Sequence, residues 1–320
     1  MSLTLGRRVY ESKRMKIFPT IYKTSRAVLV AMMIYKTSRA VLVAMMILLF
    51  GACSTRQTDH GGRLRVTATI APATDLIRRL GDTLVYATTL LPQGNSPESY
   101  EPTPQTIQAL ATSRAYYYMG DLGFERSWVE RIQSLHPELR LVRLDAGLDT
   151  LRASQHRGDH LHDPHYWTSM RGLRTMSRTI YRSLCQMDSV HSPAYTASYE
   201  ALSDTLVQLE QTLRATLSEL PSRAFLIYHP SLSDFACEWG LEQLVVEEDG
   251  KDPTPQHLER LLQRAKALGV RVVFIQKEFD TKLTESLANE LGAQTVEINP
   301  LVGDWKGQLL RIAGALSASR

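Results

Sequence analysis

PAYTASYEALSDTLVQLEQTLRATLSEL, residues 193–220, is the stretch that decides how the rest of the chain is arranged. Apolar residues recur in it at three- and four-residue spacing without an internal breaker, which predicts one amphipathic helix between Pro193 and Pro221. A helix of about 28 residues is roughly 42 Å long, which suits a strut between two lobes. A coiled-coil dimer helix is the alternative, but the stretch lacks sustained heptads, and we expect a monomer.

Short β-rich runs alternate with amphipathic segments on both sides of this helix. Before it we predict strands at 64–70, 84–91, 115–119 and 141–144, and helices at 73–80, 104–112, 126–135 and 166–187. After it we predict strands at 223–228, 241–246, 270–276 and 294–298, and helices at 232–239, 255–268, 282–291 and 305–317. The predicted fold class is therefore α/β, with two parallel-sheet lobes joined by one long backbone helix.

The beginning of the chain has the features of a secretory signal. Basic residues precede the apolar run AVLVAMMILLF at 40–50, which is too short to span a bilayer and ends in Gly51-Ala52-Cys53. Small residues before a cysteine are typical of a bacterial lipobox, in which Cys53 is acylated; cleavage and release is the alternative. We therefore predict an exported chain, anchored by lipid to a bacterial membrane and facing the periplasm or the cell exterior. The predicted divisions are a signal peptide with lipobox at 1–52, a tether at 53–62, an N-terminal lobe at 63–190, the connecting helix at 191–221 and a C-terminal lobe at 222–320.

The charge balance argues against a nucleic-acid partner once the leader is set aside. The whole chain has 37 basic and 33 acidic residues, but nine of the basic residues and one of the acidic residues lie in 1–52. The remainder has 28 basic against 32 acidic residues, a formal charge of −4. An acidic mature chain excludes the electrostatic footprint that nucleic-acid binding needs.

Two cysteines remain beyond Cys53. An exported compartment permits a disulfide between Cys185 and Cys237. Each lies in an apolar helical context, so two buried thiols are at least as consistent with the sequence as a bridge.

Histidines are concentrated in QHRGDHLHDPHYW, residues 155–167, which holds four of the nine in the chain. Neutral imidazole is a common ligand for divalent ions, and local enrichment of this kind is typical of metal binding, although a solvated polar loop is the alternative. The three histidines His156, His160 and His162 lie in a glycine-containing polar segment, which predicts a loop that recruits metal. His165 leads into an apolar-periodic run, so we predict that it is a fixed ligand.

Polar residues follow strands at comparable positions of both predicted lobes. They are Glu98 in NSPESYEP, His165, His229 in LIYHP and Asn299 in VEINP. An isolated histidine such as His229 is often only a hydrogen-bonding group. Since the carboxyl ends of parallel strands face a shared cleft, however, the four residues together predict one buried site for a divalent ion.

Five motifs occur in one order along the chain: SPESYEP at 96–102, DPHYW at 163–167, YHP at 228–230, EEDGKDPT at 247–254 and EINPL at 297–301. With the lipobox, the series resembles the zinc and manganese solute-binding proteins of ABC importers over nearly all of 64–320. The resemblance implies two rigid lobes bridged by one helix and a metal ion bound in the cleft between them. It also implies delivery of the ion to an ABC permease and its ATPase, and no catalysis.

Position by position, the resemblance implies that His165 and His229 are metal ligands. Glu98 stands where the family usually has histidine, and Asn299 stands where it usually has aspartate; both residues offer coordinating oxygen atoms. Asp304 or a water is the alternative to Asn299, and Glu247 is a further acidic candidate within reach of the cleft.

The ligand types favour zinc. One carboxylate and two neutral imidazoles leave one positive charge of a divalent ion uncompensated, and mixed nitrogen and oxygen sites have a higher intrinsic affinity for Zn²⁺ than for Mn²⁺ or Fe²⁺, which remain alternatives. A metal-buffering or adhesin lipoprotein of the same fold is a second hypothesis. A zinc hydrolase with Glu98 as general base is a third, although the chain has no HExxH motif and no nucleophile elbow.

Overall fold

Two four-stranded parallel sheets, one before and one after the long helix, form the framework of the molecule. The computed structural model describes residues 62–148, 164–248, 251–276, 279 and 281–319. The first sheet has the order β2-β1-β3-β4, with β1 Leu64–Ala68, β2 Val85–Thr89, β3 Ala115–Tyr118 and β4 Arg140–Arg143. The second has the equivalent order β6-β5-β7-β8, with β5 Ala224–Ile227, β6 Glu242–Val245, β7 Val272–Gln276 and β8 Gln294–Ile298. All six strand pairs are parallel, so the predicted α/β class is confirmed.

Helices connect the strands in both lobes. Those of the first half are α1 Ala71–Gly81, α2 Pro104–Leu110, α3 Gly123–Leu135 and α4 Met170–Met187. The long helix is α5 Ser192–Thr216, and those after it are α6 Ser233–Trp239, α7 Pro255–Ala267, α8 Thr281–Leu291 and α9 Trp305–Ala318. Short 3₁₀ turns occur at Asp82–Leu84, Tyr166–Thr168 and Ser189–His191.

The long helix is shorter than the sequence pattern suggested. It has 25 residues and ends at Thr216, whereas the predicted helix continued to Leu220. Pro221 disfavours helical backbone at the residue before it, so a helix running to Leu220 would have been strained. The buried face of α5 packs against α1 and α4 from the first half of the chain and against α9 from the second.

The helix predicted at 166–187 also begins later than expected. Tyr166–Thr168 forms a separate 3₁₀ turn, and Ser169 has extended backbone with its Oγ accepting a hydrogen bond from the Gly172 N–H at 3.0 Å. A serine in this position satisfies an N–H that would otherwise lack a partner in the first turn of the helix. The interruption fixes the direction in which the preceding residue, His165, enters the fold.

The two sheets share one hydrophobic core. Buried residues of β1, α1, α4, α5, β5 and α9 form a single cluster, and the described residues from 62 onward belong to one compact unit. Polar contacts also join the two halves: the indole N–H of Trp167 donates to the Pro300 carbonyl at 2.8 Å, and that of Trp305 donates to Asp75 Oδ2 at 2.8 Å. The lobe boundaries at 63–190 and 222–320 stay predictions.

The structure bears on the predictions about the cysteines and about membrane-spanning helices, but not on those about the signal peptide. Cys185 in α4 and Cys237 in α6 are half-buried and do not form a disulfide with each other. Within the described residues, no helix is both long and apolar enough to cross a membrane. The signal peptide and Cys53 lie outside the described residues.

Candidate metal centre

The carboxyl ends of strands in both sheets bring three predicted ligands together. Glu98 lies in the loop after β2, His165 precedes α4, and His229 follows β5. One ligand atom of each, a carboxylate oxygen and two ring nitrogens, lies within 4.8 Å of the others. The first lobe thus provides two of the three groups and the second lobe provides one.

Glu98 is held by the start of α3. The backbone N–H of Gly123, the first residue of that helix, donates to Glu98 Oε2 at 3.2 Å. The approach requires glycine, because a Cβ at position 123 would lie 2.4 Å from the backbone oxygen of Glu98. The other carboxylate oxygen, Oε1, is buried and has no hydrogen-bond partner among the described residues. A buried carboxylate oxygen without a partner is costly, and a cation would satisfy it.

His165 is fixed by the 3₁₀ turn that follows it. Its carbonyl accepts from Thr168 Oγ1 at 2.9 Å, and the Tyr166 hydroxyl ties the turn to the first sheet by donating to the Met119 carbonyl at 2.7 Å. The imidazole is 5% exposed, and its centroid lies 5.1 Å from the Trp167 ring. Packing and backbone anchoring therefore set its orientation.

His229 is oriented by a carboxylate. Its Nδ1 lies 3.0 Å from both oxygens of Glu247, and the ring stacks on Phe279 with a centroid distance of 4.6 Å. A carboxylate beside Nδ1 favours the tautomer with a proton there, which leaves a lone pair on Nε2. Glu247 thus contacts the opposite side of the ring from the ligand atoms. It orients a predicted ligand, where the sequence suggested that it could coordinate directly.

The two imidazoles face each other through Nε2 atoms that are 3.2 Å apart. Two nitrogens bound to zinc at about 2.0–2.1 Å in a tetrahedron would be about 3.3 Å apart. The observed separation fits a shared ion with little movement of either ring. The same spacing is also that of a hydrogen bond between the two rings, whose donor depends on their tautomers.

A cavity of about 20 Å³ lies beside these rings. That volume is enough for one water molecule or one ion and its immediate ligand. Its walls are formed by Ser96, Pro97, His165, Trp167, His229, Ser231, Gln276, Phe279, Pro300 and Leu301. The indole and phenyl walls exclude solvent and strengthen the electrostatic interaction of an ion with its ligands.

The structure gives other roles to the two remaining oxygen candidates. Asn299 Oδ1 accepts the Leu301 N–H at 2.9 Å and so holds the turn that places Pro300 and Leu301 at the cavity. Asp304 is exposed and caps α9, where its Oδ1 accepts the Gly307 N–H at 2.9 Å. Coordination by either residue stays a prediction. His156, His160 and His162 lie outside the described residues, so the recruiting loop also stays a prediction.

Gln276 is a site residue that the sequence analysis missed. It ends β7, its Oε1 accepts the His229 backbone N–H at 3.3 Å, and its Nε2 donates to Ser231 Oγ at 2.9 Å. The signal was available, because a polar residue ending the apolar strand 270–276 meets the criterion that selected His229. Phe279, three residues further on, carried no comparable signal.

In the first lobe a buried carboxylate, Glu125, joins the ends of two strands as Gln276 does in the second lobe. Glu125 of α3 accepts hydrogen bonds from Thr69 Oγ1 at 2.5 Å and from the backbone N–H groups of Met119 at 2.9 Å and Gly120 at 2.7 Å. Burial raises the pKa of Glu125 to about 7, although these hydrogen bonds lower it. The residue ties α3, whose first N–H contacts Glu98, to the ends of β1 and β3.

Two parallel α/β lobes around a half-buried carboxylate and two imidazoles define a class of protein, the metal-binding solute receptors. The family model for the zinc-uptake complex component A, periplasmic (ZnuA), matches residues 66–308, and the chain belongs to this family. The family comprises receptors for metal uptake that work with ABC transporters, so the protein is not an enzyme.

Individual relatives agree with this membership. The high-affinity zinc uptake system protein ZnuA of Bacillus subtilis is 23% identical over 275 residues, covering 80% of this chain and 86% of that protein. The manganese-binding lipoprotein MntA of Halalkalibacterium halodurans is 23% identical over 246 residues, covering 76% and 80%. A crystal structure of ZnuA superimposes with a TM-score of 0.75 at 31% identity, covering 80% of this chain and 99% of that one.

Proposed function

We propose that this protein captures Zn²⁺ between its two lobes through Glu98, His165 and His229 and delivers it to an ABC permease and its ATPase. The observation that carries the proposal is the convergence of three ligand atoms within 4.8 Å of one another. A water completes the shell, because the oxygen of Asn299 already accepts a backbone N–H.

The donor set supports zinc over manganese. Two imidazole nitrogens and one carboxylate oxygen match the ligands of four-coordinate zinc, whereas Mn²⁺ prefers an oxygen-rich shell. The Nε2 separation of 3.2 Å suits the short metal–nitrogen distances and tetrahedral angles of zinc. The similar relatives include both a zinc and a manganese protein, so the ligand chemistry of this chain is the stronger guide to its cargo.

Export and anchoring complete the proposal. The lipobox ending at Cys53 would hold the receptor at the membrane that contains its permease, as a monomer on a short tether. The histidines at 156, 160 and 162 would collect metal near the cleft and transfer it to the three buried ligands.

Competitive titration of the chain from residue 53 with Zn²⁺ and Mn²⁺, followed by native mass spectrometry and calorimetry, tests the site. We expect one tightly bound zinc in the parent and none in the His165→Ala/His229→Ala double variant. His136→Ala/His257→Ala is the matched control, because these two imidazoles instead contact the Ile107 and Val245 carbonyls. A His156→Ala/His160→Ala/His162→Ala variant should keep the bound zinc but load it more slowly.

Equal zinc binding by the parent and the His165→Ala/His229→Ala variant would contradict the proposed site and would assign the metal to the histidine-rich loop. Tighter binding of Mn²⁺ than of Zn²⁺ by the parent would be consistent with the proposed ligands but would contradict zinc as the transported ion.

A further inference from the structure

Arginines line the amino-terminal edge of the first sheet, at the opposite ends of the strands from the metal ligands. Arg65 lies in β1, Arg114 directly precedes β3, and Arg140 begins β4. They are neighbours, because the Arg114 N–H donates to the Arg65 carbonyl at 2.7 Å and the Arg140 N–H donates to the Arg114 carbonyl at 3.2 Å. With Arg63, which directly precedes β1, we call these residues the arginine edge; Arg63, Arg114 and Arg140 are exposed.

Exposed apolar side chains surround the arginine edge. Of the four large hydrophobic residues exposed in the described part of the chain, three are here: Tyr86 is 40% exposed, Leu135 is 56% exposed and Val190 is 82% exposed. Tyr86 pairs with Arg65 in the sheet, and its ring lies 5.4 Å from the Arg63 guanidinium carbon.

Two chain connections place the other apolar residues at the same end of the lobe. Leu135 ends α3, and the turn after it leads directly into β4 at Arg140. Val190 lies in the turn after α4, four residues beyond Gln186, whose side-chain oxygen accepts a hydrogen bond from Arg140. Arginines and apolar side chains together are the composition that binds at a membrane interface.

The positive charge of the arginine edge contrasts with the negative formal charge of the chain after the leader. The chain after the leader has 28 basic and 32 acidic residues, so an excess of arginine at one end is a segregation of charge. Arg182 adds to the edge, whereas Asp82, Glu138 and Asp188 are the acidic residues near it; Asp188 already accepts hydrogen bonds from His191 and Tyr195.

The same edge of the second sheet differs. There, Arg264 pairs with Glu242 at 3.0 Å, and Lys266 pairs with Glu290 at 2.9 Å. Two basic residues at this edge are thus each matched by an acid. Residues 222–320 have 11 basic against 14 acidic residues, compared with 15 against 13 in residues 63–190, so the positive charge is concentrated in the first half.

We propose that the arginine edge, with Tyr86, Leu135 and Val190, binds the anionic phospholipid headgroups of the membrane surface. The tether argues for this occupant: Cys53 lies ten residues before Arg63, so an anchored chain would enter its first strand at this edge, within roughly 35 Å of the bilayer. The inference rests on the proposed function for the anchor at Cys53. Because the proposed metal ligands lie at the other end of the strands, a receptor held in this way faces outward while it collects metal and must leave the bilayer surface to deliver the ion to the permease.

The test measures sedimentation of the acyl-free chain from residue 53, with Cys53→Ser, in the presence of vesicles. Vesicles of equal parts phosphatidylglycerol and phosphatidylcholine are compared with vesicles of phosphatidylcholine alone. We expect binding to the anionic vesicles that weakens with salt and falls roughly fivefold for each arginine removed in an Arg63→Gln/Arg114→Gln/Arg140→Gln variant. Val190→Ser should weaken binding at high salt as well.

Arg260→Gln/Arg264→Gln/Arg271→Gln is the matched control, since it removes equal charge from exposed positions of the second lobe. An equal loss in this control would show a general charge effect and overturn the proposal, as would binding by the parent that does not depend on phosphatidylglycerol. Zinc uptake, measured on the same samples, should be unchanged in both arginine variants. Loss of vesicle binding with intact zinc uptake therefore concerns the arginine edge alone, whereas a parent without zinc uptake would contradict the proposed function.

Discussion

In each lobe one side chain joins the ends of the first and third strands, and the two lobes use different residues for this contact. Both sheets have the strand order second-first-third-fourth, so in both a gap opens between the ends of the first and third strands. In the first lobe Glu125 bridges it by accepting from Thr69 and from the backbone beyond β3. In the second lobe Gln276 bridges it by contacting Ser231 and the backbone of His229.

Glu125 can carry a charge and Gln276 cannot, and the two residues differ in how close they lie to the site. Gln276 lines the cavity beside the proposed metal ligands, where another carboxylate would change the charge of that set. Glu125 instead holds α3, and its contact with the site is indirect, through the Gly123 N–H at Glu98. The titratable residue Glu125 is thus separated from the proposed ligands, whereas the neutral residue Gln276 lies next to them. Four predictions test this comparison.

Substituting one oxygen-bearing candidate residue in each lobe should have the largest and most unequal effect. Glu98→Gln keeps the size of the side chain but removes its negative charge, so we expect zinc affinity to fall by more than the roughly 10–100-fold typical of outer-shell changes. Asn299→Ala should change it by less than about tenfold, because its oxygen already holds the Leu301 N–H. Calorimetric titration measures both. The reverse order would identify Asn299 as a ligand and Glu98 as a structural residue.

The two bridges should differ in how stability depends on pH. The pKa of Glu125 is about 7 in the folded protein against an ordinary value of 4.5, so the folded state binds the proton more tightly. Its contribution to the free energy of unfolding should therefore fall as pH rises from about 4.5 to about 7, by at most roughly 3 kcal/mol, and stay constant above.

Urea unfolding of the metal-free protein at several pH values checks this dependence. Glu125→Gln should remove that part of the slope, even if it destabilises the protein by placing an amide N–H₂ near backbone donors. Gln276→Leu, the control in the second lobe, should lower stability by a similar amount at every pH. An unchanged slope in Glu125→Gln would assign the titration to another group.

Sequence patterns predicted the framework well, because strand and helix periodicities are local. All eight strands and nine helices occur where the alternation placed them, apart from shifts at the ends. Pro221 alone indicated that α5 could not include Leu220, although it does not predict the observed end at Thr216. The approach of Glu98, His165 and His229 could be predicted because parallel strands bring polar residues to one edge.

Interactions between side chains of different elements could not be predicted. Glu247 lies against Nδ1 of His229 because β6 pairs with β5 in one register, and nothing local specifies that register. The same applies to Phe279, which stacks on His229 from the loop after β7. Asp304, the predicted alternative to Asn299 at the fourth position, caps the following helix in the structure, a role that its position before Trp305 permitted, and its coordination stays a prediction.

The two histidines differ in the contacts that orient their rings. His229 depends on the Glu247 carboxylate, whereas His165 depends on packing against Trp167. Glu247→Ala should therefore weaken zinc binding roughly 10–100-fold, and Glu247→Gln, which can still accept from Nδ1, should weaken it less. Urea unfolding of the metal-free variants distinguishes a loss of orientation from a loss of stability, since only the second lowers the free energy of unfolding. Equal affinity in the parent and Glu247→Ala would contradict an orienting role.

The smallest effect should come from the hydrogen bonds that join the lobes. Trp167→Phe removes the donor to the buried Pro300 carbonyl and should lower the free energy of unfolding by about 1 kcal/mol. Trp305→Phe should cost less, because Asp75 is 26% exposed and keeps its contact with Arg79. Thermal unfolding should show a single transition in both variants, because the core around α5 includes residues from both sheets. Two transitions in Trp167→Phe would mean that each lobe unfolds independently and that this bond, rather than the shared core, couples the metal ligands of one lobe to those of the other.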